Sequence, residues 1–139
     1  MVKVFGKALI GALLAGATLS SAVWAADVPT EVSKLQGAKI TLHVYPFLKP
    51  DELKTLRLVA TNAQALAVFV PGDKSRYSAL ALAPDDGFMK DGAPVDTAVA
   101  LSDFADAASA SAAAQKACDD KRGKKGKPCV IVLEVGPAS

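Results

Sequence analysis

Cys129-Val130-Ile131-Val132-Leu133-Glu134-Val135 is the stretch that decides the fold. It lies between Pro128 and Gly136-Pro137, and it is rich in β-branched residues and short for a helix, so it reads as a strand. Strict alternation puts Val130 and Val132 on one face with Glu134, and Cys129, Ile131 and Leu133 on the other. Both faces are then mostly apolar, the mark of a strand covered on two sides. Two further stretches have the same character. Ala65 to Val70 (ALAVFV) is apolar throughout and runs into Pro71-Gly72, which predicts a second buried strand. Tyr77 to Ala83 (YSALALA), ended by Pro84-Asp85-Asp86-Gly87, predicts a third.

Working outward, Lys39 to Tyr45 alternates, with Ile40, Leu42 and Val44 opposite Thr41, His43 and Tyr45, as a half-buried strand does. Pro50 suits the first position of a helix, with Asp51 and Glu52 at its positive end. Leu48 and Leu53 are placed to staple that start, and Asn62 to end the helix. Val95 to Leu101 is a short extra strand expected to pair with Tyr77 to Ala83. Ser102 is the candidate N-cap of an Ala-rich helix over Asp103 to Asp120.

The order is βαββαβ, which predicts an α+β ferredoxin-like sandwich with the segment Pro84 to Leu101 inserted before the second helix. A smaller ββαβ unit with the first βα packed beside it is the alternative. Helices on one side leave an apolar sheet face to be hidden. Its cover is expected from the insertion or from the N-terminal arm through Val28, Val32 and Leu35. The other source is a partner at the sheet face, as a homodimer or with an apolar protein.

The first 25 residues read as a cleavable signal peptide. Lys3 and Lys7 make a positive start, Ala8 to Ala17 is the apolar run, and Val23 and Ala25 occupy the −3 and −1 positions. The run is too short to cross a bilayer core, which takes about 20 residues. The domains expected are therefore 1–25 as signal and 26–139 as one α+β unit, periplasmic or secreted. Removing Lys3 and Lys7 from the 16 Lys+Arg leaves 14 against 14 Asp+Glu, so the remainder is near neutral. That lacks the basic field of a nucleic-acid binder.

Cys118 and Cys129 are an even pair in an exported chain, and are expected to form a disulfide between a helix end and a strand start. Their spacing is unlike the C-x-x-C of redox pairs. Lys121, Arg122, Lys124, Lys125 and Lys127 form a basic loop with Gly123 and Gly126 between them. A solvated loop beside Asp119 and Asp120 is the ordinary reading. An anion-binding patch that contacts an anionic surface is the functional one. His43 is the single histidine, so it cannot supply a two-His metal site, and no G-x-S-x-G accompanies it. Asp85, Asp86 and Asp91 lack the calcium-loop pattern and suit turns. No catalytic constellation, metal site or cofactor is expected.

Tyr77 to Gly87 (YSALALAPDDG), the helix end AQKAC and the strand PCVIVLEV resemble small secreted proteobacterial proteins of unknown function. In those, an Ala-rich helix ending in Cys precedes a Cys-initiated last strand. Some such chains are called 5-aminolevulinate synthase. That activity needs a large pyridoxal-phosphate fold, for which a 114-residue domain has no room. The expectation is a non-catalytic binding or interaction module. A small hydrolase or lyase using Asp85 and Asp86 is the alternative.

Overall fold

The computed structural model describes residues 28–124 and 126–138. The signal-peptide reading and Lys125 lie outside them. Five strands form one sheet: β1 (Thr30–Leu35), β2 (Ala38–His43), β3 (Tyr77–Leu82), β6 (Val99–Phe104) and β7 (Val130–Pro137), in the order β1-β2-β7-β3-β6. Every pairing in it is antiparallel. Three helices, α1 (Pro50–Thr61), α2 (Ala63–Phe69) and α3 (Ala107–Arg122), complete an α+β domain, with a two-strand ribbon of β4 (Met89–Lys90) and β5 (Ala93–Pro94). None of the described helices is long and apolar enough to cross a membrane.

The expected helix start at Pro50 is present. Leu48 and Leu53 both reach the core, and Glu52 turns back to accept from the Lys49 N–H at 2.9 Å. Asn62 ends α1 but also opens α2, its side chain accepting from the Ala65 N–H at 3.0 Å. That cap corrects the strand expected over Ala65 to Val70, which is helix α2 through Phe69. Only Leu66 and Val70 are buried there, four residues apart, while Val68 is 73% exposed. The apolar run is thus one helix face and its flank, not a strand hidden on both sides.

α3 begins later than expected. Ser102 lies in β6, where its hydroxyl donates to the Pro71 carbonyl, and the N-cap is Asp106, accepting from the Ser109 N–H at 2.7 Å. The extra strand runs Val99–Phe104 rather than from Val95, and pairs with β3 as expected. The N-terminal arm, one expected cover for the sheet face, is instead an edge strand of the sheet. Glu31 accepts two bonds from Arg57 of α1, at 2.6 and 3.0 Å, and Ser33 donates to the Ala60 carbonyl.

The two-sided apolarity of β3 and β7 is satisfied within the chain, because the helices lie on opposite faces. Leu80 and Leu82 of β3 join a core with Ile40, Leu42, Leu56, Val59, Leu66, Val70 and Leu133 under α1 and α2. Ala79, Ala81 and Ala83, the alternate residues, join Ala110, Ala114 and Cys118 of α3. This differs from the single helix layer of a ferredoxin-like sandwich. Small residues on both α3 and β3 bring helix and sheet close together. Phe88, from the insertion, is fully buried in the first core with its ring 5.5 Å from that of Phe69.

The register of β7 corrects the faces expected for it. Leu80 pairs with Leu133 but Ala81 with Ile131, so Val132 is an extra, bulged residue. Past the bulge the alternation inverts. Leu133 and Val135 join Val130 and Val132 in the first core, and Glu134 turns to the face of Cys129 and Ile131.

Candidate binding face

α3 packs on β3, β6 and β7. The same side of β1 and β2 carries mainly polar side chains, with Val32 an exposed apolar one among them. Strand pairing sets them in rows: Lys34 opposite Lys39, Val32 opposite Thr41, and Thr30 opposite His43. Lys39 is opposite Gly136 and Thr41 opposite Glu134. The bulge at Val132 is what delivers Glu134 to this side, where its Oε2 lies 2.6 Å from His43 Nε2. The imidazole N–H donates to the carboxylate, and both side chains are partly exposed. Burial, and then the charge of Glu134, push the nearby Tyr45 phenol up from its ordinary value of 10.0.

At the other edge of this area the Tyr77 ring lies over Gly136. A Cβ on Gly136 would come within 2.6 Å of two ring carbons, so the absence of a side chain there is what lets the ring lie flat. Lys39, Thr41, Tyr77, Glu134, Gly136 and the start of α3 at Ala107 enclose a half-open cleft of about 270 Å³. That is at the small end of ligand clefts, which run roughly 300–1,000 Å³. Sequence reading placed His43 and Thr41 on one strand face but not Glu134 or Tyr77 with them. Glu134 depends on the bulge, and Tyr77 on the order of strands.

The sequence-derived sites are dispersed elsewhere. Cys118 and Cys129 form a disulfide with Cα atoms 6.1 Å apart, both fully buried in the α3 core. Of the basic loop, Arg122 is structural. It bonds to Asp119 at 3.0 Å and to the Gly126 carbonyl at 3.3 Å. Asp119 also accepts from the Cys129 N–H at 2.8 Å. That bond, opposed by burial and aided by the adjacent Arg122, holds the carboxyl of Asp119 below its ordinary value. Lys121, Lys124 and Lys127 are exposed. Asp85 accepts from the Lys127 N–H at 3.2 Å, and Asp86 from the Thr97 hydroxyl at 2.8 Å. Asp86 thus braces the insertion internally, and Asp85 ties the insertion to the basic loop. Among the described residues no three His, Cys, Asp or Glu side chains converge as a metal site would need.

A second cleft, of about 710 Å³, lies between the start of α1 and the β4–β5 ribbon. Its inner wall is Glu52, a buried carboxylate that accepts from the Phe88 N–H at 2.7 Å and the Met89 N–H at 2.9 Å. Burial alone would raise its pKa. The backbone donors of Lys49, Met89 and Phe88 outweigh that and lower it from 4.5. Glu52 is therefore a fastening of the insertion rather than a free acid.

No protein-family model, curated protein or solved structure matches the chain.

Proposed function

We propose that this chain is an exported, non-catalytic binding module, periplasmic or secreted, whose working surface is the open sheet face around His43 and Glu134. One observation carries the reading. The sheet turns a mainly polar half-face outward beside the start of α3, and residues from three strands line a half-open cleft on it. Such convergence of a few polar groups with an aromatic ring is how small-molecule sites are built.

Export is supported by the buried disulfide, a bond that persists in oxidising compartments. It is supported also by the order of charged, apolar and small residues in the first 25 positions.

The runner-up, a hydrolase or lyase using Asp85 and Asp86, has less support. Each of those carboxylates already accepts a structural hydrogen bond, Asp85 from the Lys127 N–H and Asp86 from the Thr97 hydroxyl, and neither is bonded to the single histidine, which pairs with Glu134. Nuclear magnetic resonance mapping separates the two readings. Titrating the protein with a panel of small polar and aromatic compounds should move amide signals at Thr41, His43, Tyr77 and Glu134, and the compounds should be recovered unchanged. Turnover of any of them that is lost on Asp85→Ala or Asp86→Ala would overturn the reading in favour of the enzyme.

A further inference from the structure

The two lysines of the open face are placed against ordinary sheet chemistry. Lys34 and Lys39 are directly opposite on neighbouring strands, on the same side of the sheet. Like charges in that position repel. Neither has an ion pair or a side-chain hydrogen bond with another described residue, and both are exposed. Their row leads straight into the cleft: Lys34, Lys39, then Gly136 with the Tyr77 ring over it. The neighbouring row, two residues along β2, is Thr41 with Glu134, whose carboxylate already holds His43.

The cleft therefore has a cationic end and a carboxylate end. Two residues along a strand separate them, about 7 Å. A dianion would meet Glu134, and a cation would meet the lysines.

We infer that the cleft takes a small aromatic monocarboxylate carrying a hydrogen-bond donor about 7 Å from its carboxylate. The carboxylate meets Lys39, the lysine that lines the cleft, with Lys34 opposite it on β1, and relieves their repulsion. The body lies along the Tyr77 ring where Gly136 has no side chain, and the donor reaches Thr41 and Glu134. This inference rests on the reading of the open face as the binding surface, and it adds the chemistry of the ligand.

4-Hydroxybenzoate is a probe of that shape, with 4-hydroxybenzamide as its neutral twin. Titration into the protein, followed through backbone amide signals, should show 4-hydroxybenzoate shifting Lys39, Thr41, Tyr77 and Gly136 at millimolar concentration. The benzamide should bind at least fivefold more weakly. Lys39→Gln should weaken the benzoate about tenfold, and Lys34→Gln by less. Lys124→Gln, in the basic loop, should leave it unchanged. All three positions are exposed, and an unaltered spectrum of each free variant confirms its fold. Equal binding of acid and amide at these residues, or benzoate binding indifferent to Lys39→Gln, would overturn the inference and leave the binding face standing. Shifts confined to the basic loop and abolished by Lys124→Gln would overturn it too. No shift on the face with either probe would count against both the inference and the binding-face reading.

Discussion

Removing Glu52 should unfasten the insertion from the helix beneath it. Its carboxylate accepts three backbone N–H groups, from Lys49 at 2.9 Å, Phe88 at 2.7 Å and Met89 at 2.9 Å. Phe88 is 1% exposed, so its N–H has no water to turn to if the acceptor is lost, while the Lys49 N–H lies at an exposed helix start. A buried donor left without a partner costs about 1–3 kcal/mol. With the Phe88 donor fully orphaned, the Met89 donor partly so and the helix start uncapped, Glu52→Ala should lose roughly 3 kcal/mol. For a domain of this size that lowers the melting temperature by roughly 10 °C. Glu52→Gln keeps the shape and one acceptor oxygen but brings an amide N–H toward a donor, so it should lose about 1–2 kcal/mol. The pH dependence follows from the lowered pKa. The stabilisation is complete above the unfolded value of 4.5 and fades as pH falls through the still lower folded value. The gap between wild type and Glu52→Ala in urea melts should therefore hold from pH 7 to about 5 and narrow below 4.5. A loss under 0.5 kcal/mol at pH 7, or a gap that widens in acid, would refute the account of Glu52 as a three-donor fastening.

Three further outcomes are expected. Reduction under denaturing conditions should raise the intact mass by two hydrogens, and replacing Cys118 and Cys129 with Ser should lower stability by roughly 2.5–3 kcal/mol, the loop-closure value for a separation of 11 residues, as read by urea melts. Two thiols that alkylate without prior reduction would contradict the bond. Gly136→Ala should force the Tyr77 ring off the strand and cost about 1–2 kcal/mol. The cost should largely vanish in a Tyr77→Ala background, and a double-mutant cycle with no coupling would show that the ring is not what Gly136 accommodates. Protein recovered from the periplasm should begin at Ala26 or within a few residues of it on N-terminal sequencing; unprocessed precursor in the cytoplasm would contradict export.

Much of the fold is legible in local pattern. The start of α1 is written in Leu48-Lys49-Pro50-Asp51-Glu52-Leu53, because capping and dipole chemistry act within one turn. The body of the Ala-rich helix is also legible, since propensity sums over its 16 residues, but its start is set four residues past Ser102 by the Asp106 cap. The stretch Ala65 to Val70 misleads for a corresponding reason. An apolar run of six fits a buried strand or a helix face, and what decides is Asn62, a cap shared between two consecutive helices. The site is far less legible. His43 and Thr41 share a face by simple alternation, but no spacing announces that Glu134, 91 residues on from His43, will meet it.

By itself, then, the chain's order of residues determines the α+β class, the start of α1, the pairing of Cys118 with Cys129, and the two-sided burial of β3 and β7. These depend on charge, propensity and periodicity between near neighbours. Only the tertiary structure decides which helix covers which face, that α3 leaves the β1–β2 side open, and that a bulge at Val132 turns Glu134 outward to His43. A bulge reverses alternation at one residue, and its position is chosen by how β7 must fit β2 and β3 at once. That compromise between two partners is energetic and non-local, and it leaves no mark in the strand's own sequence.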